Sequence, residues 1–94
     1  MAVTDESESF ALDILSPDAT IFSGRCASLL VRTSGGEVEI LPRHEPLLSI
    51  LAPGPLVVRQ ATGKDKTACA ITGGFLHVTG SKVTVLADGL QPRV

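Results

Sequence analysis

The chain has 94 residues and a formal charge of −2, from eight basic and ten acidic side chains. This length suits one small domain, and 44% hydrophobic with 19% charged residues is too apolar a composition for a disordered chain. Three Phe with no Trp or Tyr leave no aromatic platform for single-stranded nucleic acid or sugars. The charges form no basic stripe along which a phosphate backbone could bind, so nucleic acid is not an expected partner.

Residues 1–9 are polar and acidic, and they predict a flexible N-terminal tail. This segment lacks the basic and then apolar pattern of a signal peptide, and no apolar run reaches the ~18 residues of a membrane helix. Two cysteines, Cys26 and Cys69, are too few for a disulfide scaffold. We therefore expect a reduced intracellular compartment and no insertion into a membrane.

From residue 10 onward, short apolar stretches alternate with Gly, Pro and Ser. Nine strands are predicted, within residues 10–15, 20–22, 25–32, 37–41, 47–51, 56–59, 67–72, 75–79 and 82–86. Turns are predicted at 16–18, at 23–24 and at 34–36, and Gly80-Ser81 suits a two-residue hairpin connection. No window keeps a helical apolar period, so the prediction is an all-β sandwich or barrel with antiparallel pairing.

No combination of residues in this chain predicts an active site. His44 lies between two prolines, where a hydrogen bond in a rigid loop or to a partner is a simpler role than general base catalysis. Cys26 and Cys69 lack the close spacing of zinc ligands, so we interpret them as small buried side chains. Glu37 and Glu39 share one face of a strand and predict a solvated acidic stripe.

Two stretches predict contact surfaces instead. Pro42–Pro46 is a stiff loop that loses little entropy on binding. Leu47–Leu51 carries more apolar side chains than one buried face needs, so some of them are expected to form an exposed patch for a partner. His77 shares a strand face with Phe75 and Thr79, which predicts an edge or half-exposed sheet position.

Five segments, in this order, resemble the N-terminal domain of the epsilon subunit of F-type ATP synthase, which is called delta in mitochondria. They are Ser16–Pro17 with Ile21–Gly24, then Gly36–Leu48, Leu51–Leu56, Gly73–Val78 and Val83–Asp88. The most specific part is L-P-x-H-x-P-L-L followed by P-G, G-G-F and V-T-V-L-A-D. The resemblance implies a flattened antiparallel β-sandwich of about nine to ten short strands in two sheets. It covers residues 10–88 and leaves 89–94 as a short tail.

The resemblance also implies a function. The family domain is not catalytic; it docks the gamma subunit to the membrane c-ring in the central stalk. No metal or cofactor is expected for this chain. There it helps couple rotor rotation to ATP synthesis or hydrolysis at the alpha and beta subunits. The implied location is the cytoplasmic face of the bacterial inner membrane. By matching motifs, the residues facing the c-ring are Gly35, Gly36 and Glu37, and those facing gamma are Ser16, His44 and Ser49.

The sequence departs from the family pattern at two positions and in its C-terminal segment. Glu39 and Arg43 stand where the family often has Gly, which changes the surface in and beside the contact loop. Only six residues follow Asp88, whereas most members continue into a two-helix hairpin that can extend and block rotation, and that binds ATP in some members. The hairpin is either naturally absent, which the ending with Gly89 and Pro92 favours, or has been cut away.

Two further hypotheses assign the chain to other functional classes. The first is a stand-alone β-sandwich adaptor for an unrelated protein or a carbohydrate, although the low aromatic content disfavours sugars. The second is a small hydrolase that uses His44 with Ser49 or a cysteine, for which the sequence offers no evident orienting carboxylate.

Overall fold

The computed structural model describes residues 9–43, 45–60, 66–80 and 82–91. These residues contain no helix, which confirms the all-β prediction. The strands are β1 (Phe10–Leu15), β2 (Thr20–Thr33), β3 (Gly36–Ile40), β4 (Leu47–Leu51), β5 (Gly54–Gln60), β6 (Lys66–Ile71), β7 (Gly74–Thr79) and β8 (Lys82–Ala87).

Strand β2 is one strand of 14 residues where the sequence predicted two strands separated by a turn. Gly24 pairs with Leu12 inside the regular antiparallel ladder between β1 and β2, so the backbone stays extended at this glycine and does not turn. The Phe22 ring lies over this glycine, 3.6 Å from the position that a Cβ would take, and covers the exposed backbone. The merging of two predicted strands explains why eight strands are seen, fewer than the nine to ten expected.

A β-bulge between Cys26 and Ser28 changes the inward-facing set of residues along β2. Cys26 is buried before the bulge, whereas Leu29 and Val31 are buried after it. One extra residue inverts the alternation of a strand, which explains the change in buried positions, and it also bends the strand. The bend lets β2 pair with β1 through its first half and with β3 and β5 through its second half.

The strand order is β1-β8-β7-β4-β2-β5-β6, and β2 also pairs with β3 and with β1. All pairs are antiparallel except β1 with β8, which is parallel. Strand β2 pairs with β1 at its start and with Leu51 of β4 through Thr33 at its end, so the sheet closes on itself. One layer contains β1, β8, β7, β4 and the first half of β2, and the other contains β3, β5, β6 and the second half. The two expected sheets are therefore joined through β2.

A single hydrophobic core lies between the two layers. Its members alternate along their strands with outward residues, and aliphatic side chains dominate as the composition requires. The core residues that are no more than 2% exposed include Phe10, Leu12, Ile14, Leu29, Val31, Ile40, Leu51, Leu56, Val58, Ile71, Leu76, Val78, Val83 and Val85. Among the described residues, no buried side-chain nitrogen or oxygen is left without a hydrogen-bond partner.

Hydrogen bonds hold residues near both ends of the described chain against the sheet. Arg25 donates from Nε to Ser9 Oγ at 2.9 Å and from Nη2 to the Ser9 carbonyl at 3.0 Å, which fixes the start of β1. After β8, the Thr72 amide donates to the Gly89 carbonyl and the Gln91 amide donates to the Ala70 carbonyl. Residues 89–91, which the sequence assigned to a tail, thus lie along the end of β6. Residues 1–8 and 92–94 of the predicted tails are outside the described residues.

Candidate protein-docking face

Five large apolar side chains lie together on the outward face of the layer that contains β1, β8, β7 and β4. Ile50 pairs with Phe75, Phe75 with Leu86, and Leu86 with Leu15, so these four residues form one row across four strands. Leu48 lies two residues before Ile50 on β4 and points to the same side. We call Leu15, Leu48, Ile50, Phe75 and Leu86 the outer apolar face.

The side chains of the outer apolar face are in contact with solvent to an unusual degree. Leu48 is 72% exposed, Ile50 is 62% exposed, and Phe75 and Leu86 are each half exposed. Single exposed apolar residues are common in folded proteins, but a contiguous row across four strands is typical of a surface that another protein covers. The row is therefore a candidate docking face.

The apolar run of β4 creates one edge of this face. Leu47 and Leu51 point towards the core, and the side chains between them at Leu48 and Ile50 point outward. This confirms the predicted exposed patch within Leu47–Leu51. The contributions of Phe75 and Leu86 were not predicted. Each is an apolar side chain at an outward position of an alternating strand, and this was the available signal.

Ser16 lies beside the outer apolar face, in the turn that follows β1. Its amide donates to the Ala19 carbonyl at 2.8 Å, and its hydroxyl accepts a hydrogen bond from the Ala19 amide at 3.2 Å. The turn closes one side of a shallow groove whose lining residues are Leu15, Ser16, Pro17, Phe75, Leu86, Ala87 and Asp88. Ser16 is therefore available to a partner that covers the groove, and it also stabilises its own turn.

A polar cluster on β1 borders the face. The Asp13 carboxylate accepts a hydrogen bond from Ser23 Oγ at 2.8 Å and lies 3.0 Å from Lys82 Nζ. The Ser23 hydrogen bond and then Lys82 lower the pKa of Asp13 below its ordinary value. Because β2 carries Ser23 and β8 carries Lys82, this carboxylate links β1 to both of its neighbouring strands.

The predicted c-ring residues lie on the β2–β3 hairpin. Thr33 Oγ1 donates to the Gly36 carbonyl at 2.8 Å and accepts from the Gly35 amide at 3.1 Å, which fixes the turn. Gly36 has φ +124°, a conformation that favours glycine, and a Cβ there would meet nothing within 4 Å. Glu37 is exposed opposite Arg32, whose guanidinium extends over Gly54 on β5.

The hairpin and the Ser16 turn lie at opposite ends of the outer apolar row. Ser16 follows Leu15 at one end, and at the other end Leu51, the residue after Ile50, pairs with Thr33. The row spans three interstrand spacings, or roughly 14 Å. The Ser16 turn and the Gly35–Glu37 hairpin therefore follow the two ends of the apolar row.

The other two predicted gamma-facing residues have different positions. Ser49 pairs with Leu76 on the inward side of β4, and its hydroxyl lies 3.4 Å from the Ile50 carbonyl, so it does not join Leu48 and Ile50 on the outer face. It is half-buried. His44 lies outside the described residues.

The remaining reactive groups form no chemical site in the described ranges. Both cysteines are free; Cys26 is buried in the core, and burial raises the pKa of its thiol to about 12. Cys69 is half-buried, and burial raises its pKa as well. Residues 9–43, 45–60, 66–80 and 82–91 contain no group of three or more metal-ligating side chains. They also contain no apolar helix of membrane-spanning length.

Comparison with known proteins agrees with this geometry. Residues 9–93 match the family described as ATP synthase, Delta/Epsilon chain, beta-sandwich domain. The ATP synthase epsilon chain of Corynebacterium urealyticum is 37% identical over 78 residues, which are 83% of this chain and 63% of that protein. The ATP synthase epsilon chain of Mycobacterium avium is 40% identical over 80 residues, which are 85% of this chain and 66% of that protein. The chain therefore spans just under two thirds of the length of these relatives.

Solved structures show the same fold. A chain of the Euglena gracilis mitochondrial ATP synthase, in a structure of OSCP/F1/c-ring, superposes with a TM-score of 0.82 at 31% identity, over 90% of this chain and 54% of that one. A chain of the Tetrahymena thermophila central stalk and c-ring superposes with a TM-score of 0.73 at 17% identity, over 86% of this chain and 64% of that one. At this lower identity the likeness concerns the fold alone. With an eight-stranded closed sheet and a family match over nearly all its residues, this chain belongs to the delta/epsilon family of ATP synthase subunits as its β-sandwich domain.

Proposed function

We propose that this chain acts as the non-catalytic epsilon-type subunit of a rotary ATP synthase. It docks the gamma subunit through the outer apolar face and presents the Gly35–Glu37 hairpin to the c-ring. It thereby helps couple rotation of the membrane rotor to ATP synthesis or hydrolysis at the alpha and beta subunits. Its place is the cytoplasmic face of a bacterial inner membrane, as part of the membrane-associated complex, and it needs no cofactor.

The outer apolar face is the observation that carries this proposal. Covering Leu48 and Ile50 removes large apolar side chains from water, at about 25 cal/mol per Å² of buried apolar surface. An interface of roughly 800 Å² on each partner is enough for a stable complex. An apolar interface of this kind suits a stable contact with the gamma subunit of the central stalk.

The hairpin suits a different kind of contact. The two glycines have no side chains, so the backbone at Gly35 and Gly36 can approach a neighbouring loop closely. Glu37 adds an exposed carboxylate that complements a basic loop. A polar contact of this kind suits the polar loops of the c-ring.

Co-purification from membranes tests the assignment. Tagged wild-type chain should bring down gamma, alpha, beta and the c-ring. With Glu37→Lys, much less c-ring should be recovered with the tagged chain. Gamma should remain bound, because the hairpin lies outside the apolar row. An unrelated stoichiometric partner in place of gamma would instead support the adaptor hypothesis and contradict the proposal.

A further inference from the structure

We propose that His77 makes docking at the outer apolar face sensitive to pH, so that the complex with gamma weakens when the imidazole is protonated. The inference rests on the proposed function, because it concerns the same face and the same partner.

His77 lies at the edge of the outer apolar face, where it adjoins Leu48 and Phe75. His77 is exposed on the central strand β7, with Leu48 directly beside it on β4 and Thr84 directly beside it on β8. Phe75, two residues earlier on the same strand, points to the same side. A partner that covers Leu48 and Phe75 must also cover the imidazole between them.

Among the described residues, no carboxylate lies on a strand directly beside His77. Strand β4 has no charged residue, and the one charged residue of β8 is Lys82, which pairs with Thr79. Asp13 is in register with His77 through Thr84, but it lies two interstrand spacings away, roughly 10 Å, and its carboxylate is 3.0 Å from Lys82 Nζ. Glu45 lies outside β4, two residues before its first residue. The groups directly beside the imidazole are thus an alkyl chain and a hydroxyl.

Docking therefore favours the neutral imidazole. When a partner excludes water, burial disfavours the charged form of a histidine. The free chain then binds more protons than the complex, so affinity falls as pH falls. We expect the dissociation constant to rise about ten-fold between about pH 7.5 and about pH 5.5.

The test is a titration of the purified chain with the gamma subunit of the same ATP synthase at these two pH values. The control variant is Lys66→Gln, because Lys66 is exposed on β6 in the other layer, away from His77. We expect the ten-fold weakening in the wild type and in Lys66→Gln. His77→Gln should bind with nearly the same dissociation constant at both pH values. Thermal unfolding of each variant confirms that the fold is intact before binding is compared.

Two results would overturn the inference alone: equal affinity of the wild type at both pH values, or an unchanged pH dependence in His77→Gln. In either case docking itself would be observed, and the proposed function would stand. Absence of binding to gamma at both pH values would contradict the proposed function, and this inference with it.

Discussion

Ser23 donates a 2.8 Å hydrogen bond to Asp13, and this contact joins β2 to β1 on the outward side of the sheet. Lys82 of β8 reaches the same carboxylate from the opposite side, at 3.0 Å. The three side chains hold β1 between its two neighbours at the border of the outer apolar face. The interaction depends on an ionised carboxylate, which makes it dependent on pH.

The lowered pKa of Asp13 predicts a specific acid dependence of stability. The folded-state pKa lies below the ordinary value of about 3.9, so the stabilisation is present above that pH and is lost as pH falls through the folded-state pKa. Asp13→Asn should therefore flatten the dependence of unfolding free energy on pH in the acidic range, and Ser23→Ala should flatten it in part. Denaturant unfolding at a series of pH values measures this. Identical curves for the wild type and Asp13→Asn would contradict it.

Gly74 marks the closest backbone approach in the sheet. It has φ +153°, and a Cβ there would collide with the Leu86 carbonyl oxygen and lie 3.0 Å from Ala87 Cα. Gly74→Ala should destabilise the fold by about 3 kcal/mol or more, because the backbone of β8 must move. The control is Gly36→Ala, which also has positive φ but open space around it, and which should cost only about 1 kcal/mol. Similar losses for both variants in urea unfolding would refute the steric explanation.

Arg43 adopts φ 64°, the one non-glycine residue with positive φ in the described ranges. A left-handed conformation costs a residue with a Cβ about 1 kcal/mol, which glycine avoids. Arg43→Gly should therefore raise the unfolding free energy by up to about 1 kcal/mol, whereas Arg43→Lys keeps the Cβ and should not. The family resemblance pointed to glycine at this position, and the backbone angle supplies the physical reason. Stabilisation by the lysine variant would show that some other property of the arginine is responsible.

The raised thiol pKa values predict selective labelling. Cys26 is buried with a pKa of about 12, so almost none of it is thiolate at neutral pH. Cys69 is half-buried and should react with an alkylating reagent more slowly than a free thiol but faster than Cys26. Mass spectrometry of the labelled, folded protein measures both rates, and urea should make them equal. Fast labelling of Cys26 in the folded protein would show that the core opens there.

The sequence could predict those features that local patterns encode. Alternation located the strands, and the four aliphatic residues within Leu47–Leu51 predicted more apolar side chains than the core needs. Gly80 begins a two-residue connection between β7 and β8 with φ +52°, as the sequence predicted. Each of these depends on residues close together along the chain.

The remaining features depend on contacts between distant residues. The local sequence at Gly24 predicts a turn, but Gly24 pairs with Leu12 and packs under the Phe22 ring, and both contacts keep it within a strand. The parallel pairing of β1 with β8 places Leu15 beside Leu86, and this extends the apolar row beyond β4 and β7. No local pattern specifies which strands become neighbours, so the full extent of the docking face required the structure.

The central claim, that gamma docks on the outer apolar face, is tested most directly by measuring the dissociation constant of the gamma complex for Ile50→Asp and Ala68→Asp. Both positions are exposed, but Ala68 lies on β6 in the other layer, away from this face. A carboxylate at residue 50 would be buried without a partner, and we expect it to weaken binding about 30-fold or more. The aspartate at residue 68 should leave the constant unchanged. Equal affinity of the two variants would contradict the account.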